Sequence, residues 1–423
     1  MTIILLLVIM LLALLIGVPV AFALGGLGLG MLLIGGFSPI MAPLALYSSF
    51  DSFILLSVPL FLLMSNILLQ GGIGRDLFRA VQSWVGHWPG GLGIATIASC
   101  TIFSAISGSS VATAATIGNV AIKEMTDRGY NKPFVYGLIA AGGTLGILIP
   151  PSIPMIVYGV ITEESIVDLF LAGIVPGLLM ASAFIVYCFF YARFSKEYTP
   201  SEKSSNAERK SASLRALPTI ALAAIIIGGI YTGVFTPTES AGVGVAVSLI
   251  IVILMRTFSV AKFKAAAMST MKNTVTIFLI IAGAKVFGKA ITLYQIPQDI
   301  SMLVSENISE VGLFIAAVCF VLLIMGFFLE SISMLLIMMP VLYPSLGMMG
   351  IDPIWFAIIF VIMIECALIT PPVGLNLFVI QSVSGGKSSE IIKGVWPFIL
   401  IMLGCLLAVY FFPAIALYIP FHL

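Results

Sequence analysis

The residues best suited to chemistry in this sequence are oxygen donors, and they gather around interruptions in apolar runs. Two proline pairs stand 221 residues apart, Pro150-Pro151 in ILIPPSIPMIVYG and Pro371-Pro372 in LITPPVGLNLFV. Proline lacks a backbone N–H and clashes with the preceding turn, so a tandem pair breaks a helix rather than bending it. In hydrocarbon the carbonyls freed in this way need partners inside the protein. Ahead of the first pair, SAISGSSVATAATIG (Ser104 to Gly118) interrupts another apolar run with small and hydroxylated residues. Hydroxyls and bare carbonyls suit a hard monovalent cation, whose hydration shell neutral oxygens must replace. Small residues also serve membrane helix packing, so this run alone leaves both readings open. With Gly146, Ile149 and Pro151 close by, the cation reading gains. A second copy is GFFLESISMLLIMMPVLYP (Gly326 to Pro344), which sets Glu330 opposite Ser109 and Ser331 opposite Ser110. Pro340 and Pro344 are expected to break its return limb. Ala367, Thr370 and Pro372 stand where Gly146, Ile149 and Pro151 stand in the first copy, so a second cation site is expected there.

These residues must be positioned by membrane helices. Hydrophobic residues make up 61 % of the 423 and charged residues 9 %. A soluble domain carries roughly 25 % charge, so the chain is an all-α polytopic membrane protein set in a lipid bilayer. Net charge is +1, which selects no partner, and no nucleic acid is expected. The five cysteines lie in apolar segments without paired spacing and read as small buried residues. The apolar N-terminal stretch lacks a basic start and a cleavage site, and reads as a retained first span.

The two halves share landmarks in the same order. Pro19 matches Pro237, Ile73 and Asp76 match Ile296 and Asp299, and the proline pairs follow. Between the halves, Arg193 to Leu217 is polar and serine-rich and holds six of the nineteen Lys and Arg. It reads as a solvated cytoplasmic linker at 193–217, which makes 1–192 and 218–423 two repeats. Segment Gly71 to Pro89 carries Arg75 and Arg79, and its counterpart Tyr294 to Glu310 carries acids and no base. By the positive-inside rule the first lies in the cytoplasm, and the second agrees with the opposite side. The copies are therefore expected to be inverted, with re-entrant hairpins, interfacial arms and both termini outside, as in secondary transporters. Intramembrane ionisable groups are functional by default. Lys285, Glu239, Glu330 and Glu365 qualify, although Lys285 reads equally as a snorkelling lysine or a substrate contact. Asn376 is either an amide ligand or a cap for the second broken helix.

A serine hydrolase built on Ser107 or Ser110 needs a nearby base. The two histidines, His87 and His422, sit on an interfacial arm and at the terminus, so this class is excluded. Metal-dependent hydrolysis fails for want of clustered His, Cys or Asp.

FSAISGSSVATAATIG, GTLGILIPPSIPMIVYG, FTPTESAGVGV and ITPPVGLNLFV, in this order, resemble the large membrane subunit of tripartite ATP-independent periplasmic (TRAP) transporters. The resemblance spans essentially the whole chain. It implies an elevator-type symporter of the bacterial inner membrane, with a transport domain sliding against a scaffold. It implies Na+ coupling, a periplasmic substrate-binding protein that delivers a small organic acid, and a separate small four-helix membrane subunit. Carried over position by position, the first sodium site falls on Ser107, Ser110, Gly146, Ile149 and Pro151. The second falls on Gly326, Ser331, Ala367, Thr370 and Val373. Thr113 is implied as a substrate contact, on a hairpin limb facing the cleft, and no enzymatic activity or organic cofactor is implied.

Overall fold

The computed structural model describes residues 2–194, 199–308 and 310–422, and these are helical with no strand among them. Eight of the helices are long and apolar enough to cross a bilayer. Helix order repeats along the chain. Ser110–Asp127 is matched by Ser331–Met348 and Lys132–Leu148 by Pro353–Ile369, each 221 residues on. Ile153–Thr162 is matched by Leu375–Ser384 and Ile166–Phe194 by the shorter Ser388–Phe411, each starting 222 residues on. The amphipathic arms Ile73–Val85 and Ile296–Asn307 keep the same order. The halves differ ahead of the arms. The first uses two pieces, Met41–Phe50 and Ser57–Gly71, where the second uses the single 34-residue helix Val260–Leu293.

Helices of both halves mix in two packing groups. In one, Val20–Ile34 lies along Val260–Leu293, which also packs on Ser57–Gly71. Glycine permits this closeness: a Cβ on Gly28 would stand 2.7 Å from the Phe287 amide nitrogen. Without a hydrophobic drive between helices in lipid, such small-residue seams supply the dispersion contact. In the other group Lys132–Leu148 and Pro353–Ile369 are central. Every residue from Phe134 to Leu148 and from Ile354 to Ile369 is buried, which suits helices apolar on all faces. Around them stand the hairpin limbs and the two closing helices.

Three sequence expectations are corrected here. Ser331–Met348 runs unbroken through Pro340 and Pro344. Each proline removes one ladder bond, from the carbonyls of Leu336 and Pro340 respectively. Leu336, Pro340 and Pro344 all line one cavity, where a helix tolerates such losses. The linker is shorter than its polarity suggested, because Asn206–Tyr231 begins inside it. Ser205 and Glu208 form a capping box, with Glu208 Oε2 accepting from the Ser205 amide at 2.8 Å. The first turns then dock on the arm. Arg209 Nε donates to the Ser83 carbonyl at 3.2 Å, its guanidinium lies 5.3 Å over the Trp84 ring, and Trp84 Nε1 donates to Ser213 Oγ at 3.0 Å. Residues 195–198 of that segment lie outside the described residues. Finally, Glu239 is exposed and closes a second capping box, accepting from the Thr236 amide at 2.9 Å. Its carboxylate is occupied as a helix cap and is not a free ionisable site.

Candidate functional site

The first hairpin turns because Gly91–Ser107 ends on Gly108, whose φ of +58° only glycine adopts without strain. A Cβ there would also stand 2.7 Å from the Pro151 carbonyl oxygen. Ser109 then caps the return limb, accepting from the Ala112 amide at 3.4 Å. Inside this tip Ser107 Oγ lies 2.7 Å from Thr113 Oγ1, and Thr113 Oγ1 donates to the Ser109 carbonyl at 2.9 Å. Ser107 and Thr113 are wholly buried and Ser110 is nearly so.

The facing element is the first helix break. Prolines at 150 and 151 cannot donate to the carbonyls four residues earlier, so Gly146 and Ile147 lose their ladder partners. Gly146 has no side chain to hold the tip away. A Cβ on it would stand 2.6 Å from the Ser109 carbonyl oxygen and 2.9 Å from Thr113 Oγ1. Ser107, Gly146 and Pro151 are thus brought together, and Ile149 lies extended in the same break. The donor set consists of hydroxyls and carbonyls, and carries no formal charge.

The second copy follows the same plan with different donors. Glu330 caps Ser331–Met348, accepting from the Ser333 amide at 3.2 Å, so it holds the position that Ser109 holds in the first tip. Pro371 and Pro372 cannot donate to the carbonyls of Ala367 and Leu368, and the Ala367 carbonyl accepts instead from the Thr370 amide at 3.3 Å. Gly326 presses on this end, where a Cβ would stand 3.0 Å from the Ala367 carbonyl oxygen. Thr370 Oγ1 donates to the Cys366 carbonyl at 2.6 Å. Val373 is half-buried just beyond the pair, while Ser331 faces the cavity between the hairpins.

That cavity, of about 460 Å³, lies between the two tips and the helices Ser57–Gly71 and Val260–Leu293. Its wall includes the first residues of four helices: Ser110, Ile153, Ser331 and Leu375. Each N-terminus carries roughly half a positive charge, so the four together favour an anion. Glu330 is the one charged side chain in the lining. Ser65 and Asn66 on one helix and Ser269, Asn273 and Thr276 on the other complete the polar wall. Sequence reasoning missed these five. The signal was present in the last three, whose spacing of four and three residues puts polar groups on one helix face. Asn66 Nδ2 donates to Thr270 Oγ1 at 3.0 Å and ties the two helices together.

Three residues expected to contact substrate lie outside the lining of this cavity. Thr113 points into the first tip instead of the cavity, because its hydroxyl is held by Ser107 and the Ser109 carbonyl. Asn376 is wholly buried, has no hydrogen-bond partner among the described residues, and does not cap its helix. Lys285 lines a different cavity, nine residues or roughly 13 Å beyond Thr276 along the same helix. Glu365 is wholly buried, and the Leu148 backbone is the polar group set against its carboxylate.

Two packing groups, paired helix breaks and a polar cavity between hairpin tips define an all-helical, multi-pass membrane transporter. Its fold is similar to that of the Alcanivorax borkumensis YdaH transporter, with a TM-score of 0.57 and 14 % identity over 87 % of each chain. It is also similar to that of Neisseria gonorrhoeae MtrF, with a TM-score of 0.54 and 12 % identity over 85 % of this chain and 80 % of that one. The chain belongs to the DctM component family of tripartite ATP-independent periplasmic transporters, whose pattern matches residues 7–415. It is 40 % identical to the C4-dicarboxylate TRAP transporter large permease DctM of Pseudomonas aeruginosa, over 89 % of this chain and 88 % of that protein. Identity to the sialic acid TRAP transporter large permease SiaM of Vibrio cholerae is 34 %, over 96 % and 95 %. The ectoine/5-hydroxyectoine large permease UehC of Ruegeria pomeroyi is 38 % identical, over 86 % and 85 %.

Proposed function

We propose that this permease drives sodium-coupled uptake of a small organic acid across the inner membrane by an elevator motion. The observation that supports this best is convergence: two hairpin tips, each pressed on a helix break, open with four helix N-termini onto one cavity. One Na+ sits at Ser107, Ser110, Gly146, Ile149 and Pro151, the other at Gly326, Ser331, Ala367, Thr370 and Val373. Each neutralises freed carbonyls and orders a tip, which prepares the cavity for a carboxylate. The packing group holding Val260–Leu293 is the static scaffold, and the group holding both hairpins moves against it. The two halves are inverted repeats, with both termini periplasmic. A periplasmic binding protein delivers the acid, and a small four-helix subunit braces the scaffold. A 100 mV potential contributes roughly 2.3 kcal/mol per net charge moved, so it helps concentrate a monoanion carried with two Na+, and a dianion only when a third Na+ accompanies it.

The test is uptake in proteoliposomes holding this chain and its small subunit, with C4-dicarboxylates, sialic acid and ectoine offered in turn. Uptake of one acid is expected only with an inward sodium gradient and the soluble receptor loaded with that acid. Full-rate uptake of free acid without the receptor would overturn the tripartite reading. Uptake indifferent to sodium would overturn the coupling.

A further inference from the structure

A second cavity, of about 660 Å³, adjoins the long helix Val260–Leu293 on the stretch that carries Lys285, Gly288, Lys289 and Thr292. The opposite wall is the return limb of the second hairpin, through Leu336, Pro340 and Tyr343. Both elements also line the cavity between the hairpin tips, through Thr276 and Ser331. The two cavities therefore follow one another along a shared helix and a shared hairpin limb. Between them the helix shows Ile280 and Ile281 and the limb Leu335, all buried, so apolar packing separates the two chambers.

Lys285 is half-buried and Lys289 exposed, and neither has a hydrogen bond or ion pair among the described residues. Across the cavity Glu164 accepts from the Tyr343 hydroxyl at 3.1 Å, and Glu163 also lies near that ring. Two free ammonium groups beside a membrane cavity attract anions, and a charged cleft with low-dielectric walls raises local anion concentration. Four residues of helix place them roughly 6 Å apart, on one face. From one face both long, flexible side chains can reach the same small anion, one ammonium group to each end of a diacid. The tip cavity, by contrast, has no basic side chain in its lining.

We propose that this second cavity is a collecting vestibule for a small diacid, with Lys285 and Lys289 each taking one carboxylate before the hairpin tips receive it. The proposal rests on the transport reading, yet its test does not use transport. In the full chain, Thr292→Cys puts a thiol at an exposed position on the same wall. It is labelled with an anionic methanethiosulfonate (the ethylsulfonate) and with the cationic trimethylammonium analogue, and the parent chain serves as blank. Relative to free cysteine, the anionic reagent is expected to gain roughly tenfold over the cationic one. The added changes Lys285→Gln and Lys289→Gln should abolish that gain. Succinate should slow labelling when the lysines are present, and butyrate should slow it much less. An equal reagent ratio with and without the lysines, or no protection by succinate, overturns the proposal. No sodium gradient or uptake enters the measurement, so either result leaves the transport reading to its own test.

Discussion

Gly146→Ala is the sharpest perturbation of the first hairpin site. The added methyl carbon would stand 2.6 Å from the Ser109 carbonyl oxygen and 2.9 Å from Thr113 Oγ1, where ordinary contact begins at 3.4 Å. The hairpin tip must therefore retreat by roughly 0.8 Å from the helix break, because the obstacle is backbone and cannot rotate away. Overpacking of this kind costs about 1–3 kcal/mol. If that cost falls on the arrangement that holds sodium, the sodium midpoint for uptake rises by roughly 5- to 150-fold. Thermal unfolding of the purified complex over a sodium series reads the same quantity without transport, since a ligand bound only by the folded state stabilises it in proportion to ln(1 + L/Kd), where L is the free ligand concentration. Gly26→Ala is the control, because a Cβ there meets nothing within 4 Å. A folded Gly146→Ala protein with an unchanged sodium midpoint in both assays would refute the placement of the ion between tip and break.

Ser107→Ala should also raise the sodium midpoint, more modestly, because it removes one hydroxyl worth about 0.5–1.5 kcal/mol while leaving the backbone in place. Sodium titration of uptake checks it, and an identical curve takes that hydroxyl out of the ligand set. Glu365→Met should raise the unfolding midpoint in sodium-free buffer, since the Leu148 backbone can meet only one of two buried acceptors and the other costs about 1–3 kcal/mol unsatisfied. A lowered midpoint would mean that the Leu148 contact outweighs that cost. Arg209→Ala removes both the hydrogen bond to Ser83 and the contact with Trp84. Amide exchange over residues 206–217 should quicken, and unchanged exchange would show that the helix start does not depend on the arm.

Much of the fold was legible because backbone chemistry is written directly in residue type. Tandem prolines cannot continue a helix, and the helices stop at Leu148 and Ile369 ahead of them. Ser109 and Glu330, matched by sequence offset, are indeed the caps of the two return limbs. Polarity misled where it has two uses. The same serine and glutamate that mark a solvated linker also form the capping box that starts Asn206–Tyr231. Glu239 looked intramembrane because its neighbours are apolar, yet it stands in an exposed first turn. Lys285 and Thr113 were assigned by local context, while their surroundings depend on which helix packs opposite. The polar wall of Ser65, Asn66, Ser269, Asn273 and Thr276 needs two helices 204 residues apart to be brought face to face, as Asn66 and Thr270 show. Periodicity alone does not reveal that pairing.

The charges around the tip cavity carry the proposed order of binding. An anion held there finds no basic side chain, one carboxylate on Glu330, and four helix N-termini. Each terminus offers roughly half a charge that fades within one turn, so the empty cavity is only weakly attractive to a carboxylate. A cation placed between each tip and its break adds a full charge just behind Ser110 and Ser331, the residues that line the wall. On the proposed reading the acid would then be held by termini and ions together, and would leave readily when the ions do. A fixed lysine in that wall would bind the acid whether or not sodium was present, and the two gradients would uncouple. The basic residues stand instead in the neighbouring cavity, where an anion can be gathered without being locked at the site that moves it.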